Sequence, residues 1–283
     1  MTIRSAQQEL LSALSGLYDA REASIIADWV MEHITGQKRV DRLMIKDAAI
    51  SDENVQRFKR ITGELLAHRP VQYVLGEAWF LGRRFFVNED VLIPRPETEE
   101  LVEWINLTCR TKNKQAAILD IGTGSGCIPI SIALSQPNAV ITSIDISEKA
   151  LVVAKKNADD LNAVVDLKLV DFLEESQGDL PGSYDIIVSN PPYIKQSERA
   201  QMAKHVLDYE PALALFVPDD DALLFYRKMA AFGRTHLNAG GFLFAEINEM
   251  LGDQVIALFA GYGYACELRK DMQGRDRMVK AWR

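Results

Sequence analysis

Ser189-Asn190-Pro191-Pro192-Tyr193 is the segment whose residue types carry the most chemistry. Two prolines stiffen the turn and neither has a backbone N–H, so the Pro191 carbonyl is kept free for another partner. The Asn190 side-chain oxygen and that carbonyl together can grip both hydrogens of a planar NH₂ group, with Tyr193 as an apolar wall or stacking face. A rigid connecting loop is the bland alternative for such a turn. What stands beside it in the chain decides between the two.

Upstream, Ile118-Leu119-Asp120-Ile121 runs into Gly122-Thr123-Gly124-Ser125-Gly126-Cys127. A buried strand, a glycine turn and a helix start follow one another. Three glycines in five residues let the backbone turn tightly and approach a ligand closely. The Lys-Ser/Thr pair of a phosphate loop is absent, and Cys127 stands where the third glycine of a dinucleotide loop would be, so a pyrophosphate is disfavoured. Asp145 lies nineteen residues after Gly126, at the end of the next expected strand, where a carboxylate can accept both ribose hydroxyl protons. Asp171 and Phe172 close the strand after that, offering a carboxylate to an exocyclic amine and an aromatic face to a purine. Each alone reads as a helix cap or a core residue; three strand ends in order describe an adenosine pocket without phosphates. S-adenosylmethionine fits such a pocket, with its methionine moiety over the glycine loop.

Methyl transfer to an amide or aryl amine is then the implied chemistry. The nitrogen lone pair is delocalised and weakly nucleophilic, and holding both hydrogens on acceptors orients it and favours the charge that develops there. Positioning and electrostatics do the work, without a strong base.

The elements that must hold these residues can be traced along the chain. From Thr2 to about Arg69 apolar residues recur at helical steps, with Gly16 and Gly36 near helix ends, Asp41 and Ser51 as N-cap candidates and Pro70 as a stop. Residues 1–70 read as a small helical domain. Val71 to Val87 is rich in aromatic and β-branched residues around Gly76 and Gly82, which predicts a strand or hairpin connector over 71–90. Pro96 then opens an amphipathic helix through Leu101, Val102, Trp104 and Ile105. Beyond Gln115, strands expected at Ala116–Ile121, Val140–Asp145, Leu167–Val170, Asp185–Ser189, Phe242–Ile247, Tyr262–Leu268 and Arg277–Ala281 alternate with helices near Ile128–Ser135, Glu148–Leu161, Ala222–Leu237 and Glu249–Phe259. This is the pattern of an α/β, doubly wound, mostly parallel sheet over 91–283, with an antiparallel edge hairpin turning at Gln273-Gly274.

The 283 residues carry 32 basic and 40 acidic side chains, a net charge of −8. Ten of each sign fall between Thr2 and Pro70, so the excess acid lies wholly in the later part. That balance opposes binding to phosphates and anionic membranes, and no direct nucleic-acid site is expected. No run is long and apolar enough for a membrane helix, and the first twenty residues lack a signal-peptide pattern. Cys109, Cys127 and Cys266 are odd in number and widely spaced, which fits a reducing, cytoplasmic compartment. His33, His68, His205 and His236 are scattered, and no metal is expected. Composition sets no oligomeric state.

With these residues in view, the chain resembles the protein-(glutamine-N5) methyltransferases of peptide chain release factors. The resemblance runs through Arg69–Gly76 (RPVQYVLG), Val91–Glu100 (VLIPRPETEE), Gly122–Gly126, Ser189–Tyr193, Tyr209–Leu215 (YEPALAL) and Gly274–Arg277 (GRDR). It implies a class I methyltransferase sheet, S-adenosylmethionine as donor with S-adenosylhomocysteine as product, and the glutamine of the Gly-Gly-Gln motif of class 1 release factors as acceptor, hence a part in translation termination. By position it assigns Gly122, Thr123, Gly124, Ser125, Gly126, Asp145 and Phe172 to the donor, Asn190 to donor and substrate, and Pro191, Pro192 and Tyr193 to the glutamine pocket. It gives the helical N-terminal domain the grasp of the release factor and places Arg95 and Glu97 at the cleft wall. Two departures are Pro129, just inside the helix after the glycine loop, and Asn248, where relatives usually have glycine. The rival readings are the sister activity on a ribosomal-protein glutamine, an exocyclic-amine methyltransferase on RNA or DNA, and a donor-binding regulator without turnover.

Overall fold

A computed structural model of the chain describes residues 1–109, 115–174, 180 and 182–283. They fall into two compact units, Met1–Glu77 with Ala203–Tyr209, and Ala78–Met202 with Glu210–Arg283.

The first unit is helical, with α1 (Ile3–Leu14), α2 (Ala20–Thr35), α3 (Arg39–Met44), α4 (Asp52–Leu66) and α5 (Val71–Leu75). Side-chain caps start three of these helices: Thr2 accepts from the Ser5 N–H, Asp19 from Arg21 and Glu22, and Ser51 from Asn54. Gly36 closes α2 at φ +66°. The apolar stripes meet in one core around Leu10, Leu14, Val30, Met31, Phe58, Ile61 and Leu65. Asp41, an expected cap, lies instead in the first turn of α3, where Lys38 holds the cap position. Val71–Leu75 is helical rather than extended. Pro70 sits at its cap and Gly76, at φ +69°, ends it after five residues, too few for a helical period to show in the sequence.

The second unit opens with the hairpin β1 (Ala78–Phe80) and β2 (Arg83–Phe85). Leu81 and Gly82 turn it with φ of +48° and +71°, the two positive values of a tight hairpin turn. Next come α6 (Pro96–Cys109), β3 (Ala117–Ile121), α7 (Cys127–Ser135), β4 (Val140–Asp145), α8 (Glu148–Asp160), β5 (Asp166–Leu169), β6 (Tyr184–Ser189) and β7 (Ile194–Lys195). After α9 (Lys204–Tyr209), which belongs to the helical unit, the chain continues through β8 (Phe216–Val217), α10 (Leu224–His236), β9 (Leu237–Glu246), α11 (Gly252–Gly261), β10 (Ala265–Lys270) and β11 (Asp276–Trp282). Strand β9 starts five residues before the expected Phe242, taking up the end of the helix expected to reach Leu237.

Seven strands form one sheet in the order β10-β11-β9-β6-β3-β4-β5. Strands β9, β6, β3, β4 and β5 run parallel, and β11 is antiparallel to both neighbours. The edge is thus the expected hairpin, with the reversed strand on its inner side and β10 outermost. Alternate residues feed two cores. Leu119, Ile187, Leu243 and Val279 face Met229 of α10 and Val255 of α11, whereas Ile118, Ile186, Phe244 and Met278 face Leu101 of α6 and Ile130 of α7. With helices on both faces the central strands are buried along their length, which is why they read as continuous apolar runs. The chain passes from β3 outward to β4 and β5, then returns to place β6 on β3's other side. A crevice opens at the carboxyl ends where the direction reverses.

Candidate active site

That crevice holds a cavity of about 220 Å³. Its floor is the turn after β3. Gly122, Gly124 and Gly126 take φ of +82°, +53° and +80°, values open to glycine and strained for other residues. The N–H groups of Gly122 and Thr123 bond to the Ile144 carbonyl at 2.9 and 3.0 Å, fastening the turn to β4. A Cβ on Gly122 or Gly124 would meet nothing within 4 Å, so both present bare backbone to open space. Gly126 differs. A Cβ there would stand 2.7 Å from Ile130 Cδ1 and 3.3 Å from Ala154 Cβ, and Gly126 does not line the cavity. Expected to contact the donor, it instead lets α7 and α8 pack closely.

Beneath the turn runs a buried polar chain. Thr123 Oγ1 lies 2.7 Å from Ser143 Oγ, which donates to Asp120 Oδ2 at 2.6 Å. Burial pushes the Asp120 carboxyl up to about 7, against the Ser143 hydrogen bond and with a further push from the Asp145 charge. Burial likewise pushes the Cys127 thiol up to about 12, so it is no nucleophile at neutral pH. Asp145 lines the cavity, with one oxygen accepting from the Gly124 N–H at 2.8 Å and the other from the Ser147 N–H at 2.9 Å. Burial raises its carboxyl above the usual range, opposed by these amides. Each oxygen keeps a further lone pair for a hydroxyl. Asp171 and Phe172 line the cavity too. Asp171 caps its own turn by accepting from Leu173 N at 2.9 Å, and Phe172 packs edge-on against Phe232.

The opposite wall comes from the end of β6. Ser189 Oγ donates to the Ile121 carbonyl at 2.7 Å, pinning β6 to β3 just before the turn. Asn190, Pro191 and Pro192 line the cavity. Among the described residues no hydrogen bond reaches the Pro191 carbonyl or Asn190 Oδ1, so both remain available as acceptors. Asn190 Nδ2 donates to Thr98 Oγ1 at 3.1 Å, and Thr98 Oγ1 donates to Glu246 Oε2 at 2.6 Å. Tyr193, expected as a wall of the pocket, does not line it. Its hydroxyl donates to Glu246 Oε1 at 3.2 Å and its ring packs on the core, so it backs the site rather than facing it. Burial raises the Tyr193 hydroxyl well above its usual range, reinforced by the Glu246 charge. Burial also raises Glu246, opposed by the Thr98 hydrogen bond, the Arg277 charge and the Tyr193 hydroxyl.

Arg95 lines the cavity and donates to the buried Glu210 Oε1 at 2.6 Å. Glu97, expected beside it, lies away from the cavity and accepts from Gln273 Nε2. Thr98 and Glu246 are site residues that reading along the sequence missed. A carboxylate within the apolar run Phe242–Ile247 was the available signal, since a buried acid demands partners. The two departures prove harmless: Pro129 is in the first turn of α7, and Asn248 accepts from Met250 N at 3.0 Å to make its own turn. Among the described residues, no three metal-ligating side chains gather and no helix is long and apolar enough to cross a membrane.

The cavity suits a ligand that is largely apolar in contact, carries at least one polar group and approaches the backbone closely. Ser125 Oγ is buried there without a partner, and the bare backbone of Gly122 and Gly124 admits an atom that a side chain would displace. The sheet order, the glycine turn and the carboxylate at the end of β4 define a class I, S-adenosylmethionine-dependent methyltransferase. A methyltransferase from Pyrococcus furiosus shares the fold, at 19% identity and a TM-score of 0.50 over 82% of this chain and 98% of its own. Models of the PrmC N-terminal domain and the methyltransferase small domain match residues 5–76 and 101–212. The chain belongs to the release factor glutamine methyltransferases. A relative of that name from Flavobacterium psychrophilum is 43% identical over 99% of both chains, and one from Bacteroides thetaiotaomicron is 41% identical over 95% of this chain and 96% of its own.

Proposed function

We propose that this chain methylates the side-chain amide nitrogen of the glutamine in the Gly-Gly-Gln motif of class 1 peptide chain release factors. The observation that carries the reading is an acceptor-only turn, Asn190 and Pro191, on the wall of the same cavity whose floor is the glycine loop. S-adenosylmethionine, when bound, supplies a methyl group on a sulfonium. Gly122, Thr123, Gly124 and Ser125 would hold its methionine part, Asp145 its ribose, and Asp171 with Phe172 its adenine.

The protein's own residues do the rest by placement. Asn190 Oδ1 and the Pro191 carbonyl each take one hydrogen of the substrate NH₂, and Pro192 keeps the turn rigid. As positive charge develops on that nitrogen, both acceptors favour it, and no base is required before the transfer. Arg95, fixed by Glu210, borders the entrance for the glutamine. We assign residues 1–70 to recognition of the release factor, 71–90 to the connector and 91–283 to methyl transfer, and we place the protein in the cytoplasm with its substrate.

The test is the rate of label transfer from methyl-labelled S-adenosylmethionine to an intact class 1 release factor, its Gln→Ala variant, a large-subunit ribosomal protein, and RNA. Transfer to the intact factor alone is expected. Transfer only to RNA would refute the glutamine reading, and transfer to the ribosomal protein alone would move the same chemistry to another substrate.

A further inference from the structure

An asparagine amide has two faces of nearly the same shape. Turned half a rotation it presents NH₂ where C=O stood, and a pocket with NH₂ at that place would repel the amide hydrogens it must hold. What fixes the face lies far away in sequence. Asn190 Nδ2 meets Thr98 Oγ1 at 3.1 Å, and Thr98 Oγ1 meets Glu246 Oε2 at 2.6 Å. Thr98 and Glu246 are 2% and 1% exposed, which leaves solvent little access to either.

A hydroxyl has a single hydrogen. Thr98 commits it to the Glu246 carboxylate, which only accepts, and so Thr98 can offer Asn190 nothing except a lone pair. Asn190 must then turn its NH₂ toward Thr98 and its carbonyl the other way. The other oxygen of Glu246 is engaged by the Tyr193 hydroxyl at 3.2 Å. One buried carboxylate therefore ties both ends of the Asn190–Tyr193 turn, and the hydrogen bonds from both sides point into it.

We propose that Thr98 and Glu246 are positioning residues that lock Asn190 with its carbonyl toward the substrate nitrogen, and so make the pocket select an amide NH₂ over a carboxylate. The inference rests on the glutamine reading above. A glutamate side chain in the same place would set its lone pairs against Asn190 Oδ1 and the Pro191 carbonyl, with no hydrogen to share.

The experiment is a double-mutant cycle in the full chain. Single-turnover transfer to the release factor at saturating donor, and donor affinity by calorimetry, are measured for wild type, Thr98→Val, Thr98→Ser, Asn190→Ala and the Thr98→Val/Asn190→Ala pair. Thr98→Val is expected to slow transfer on the order of tenfold to a hundredfold with donor affinity within about twofold. Thr98→Ser, which keeps the hydroxyl, is expected to return the rate to within about threefold of wild type. On the Asn190→Ala background Thr98→Val is expected to cost less than about twofold, because its partner is gone. Should Thr98→Val fold poorly, because it sets a methyl against Glu246 Oε2, Thr98→Ala removes the same hydroxyl and leaves space there instead. A hydroxyl-free variant as fast as Thr98→Ser, or one equally damaging with and without Asn190, overturns the inference while leaving the function in place. A wild-type chain that leaves the release factor unmethylated removes the functional reading and this inference with it.

Discussion

The two ends of the crevice are built from different materials. Where β3 and β4 finish, the wall is backbone: Gly122 and Gly124 at positive φ, amide bonds to the Ile144 carbonyl, and one carboxylate held by two N–H groups. Where β6 finishes, the wall depends on side chains from three distant segments, Thr98, Asn190 with Tyr193, and Glu246. A backbone-built site is written in consecutive residues and is stiff by construction. A site built from a side-chain chain is scattered in sequence, and each link is a separate point of failure.

That contrast should split the phenotypes of the two ends. Asn190→Ala is expected to lower turnover by about a hundredfold to a thousandfold, as loss of one electrostatic contact to the reacting group does, with donor affinity within about threefold. Single-turnover kinetics beside calorimetry check it. Asp145→Ala should do the reverse, weakening donor affinity by about ten- to a hundredfold through the lost charged hydrogen bonds while saturating donor restores the rate. Equal loss of affinity and rate in both variants would erase the distinction.

Within the glycine loop the comparison sharpens further. Gly126→Ala forces a Cβ to 2.7 Å from Ile130 at φ +80°, and thermal unfolding should show a loss of about 2 kcal/mol or more. Gly124→Ala has open space at φ +53°, so its stability cost should stay near ~1 kcal/mol while donor affinity falls more than stability does.

A pH-dependent effect concerns Asp120. Its carboxyl sits at about 7 because of burial, against 3.8 ordinarily, so its protonated form favours the folded state. The stability it contributes is fully present below pH ~4 and lost as pH rises to about 7. Asp120→Asn should match wild type in acid and gain on it between those pH values, by on the order of 10 °C in Tm at neutral pH. A difference in Tm that stays flat across that window would contradict the assigned burial effect.

The same contrast explains what was legible in the sequence. The donor end could be read because strand, glycines and Asp145 are neighbours along the chain and alternation fixes their strand ends at one edge. At the acceptor end Asn190 and Pro191 were legible, but Thr98 and Glu246 were not, because they join across 148 positions and no local period records such a pairing. Tyr193 was misread for the same reason. Its residue type suggested a stacking wall, and only the fold shows that its hydroxyl is spent on Glu246. Val71–Leu75 failed differently, since β-branched and aromatic residues lean toward strand and only Pro70 and Gly76 at its ends mark the short helix.

The most direct test of the account is to find the atom that receives the methyl group. After incubation of the full chain with S-adenosylmethionine and a class 1 release factor, fragmentation mass spectrometry should place one methyl on the side-chain nitrogen of the Gly-Gly-Gln glutamine, and its initial yield should fall by about a hundredfold or more with Asn190→Ala. A methyl on any other residue, or an undiminished yield from Asn190→Ala, would contradict it.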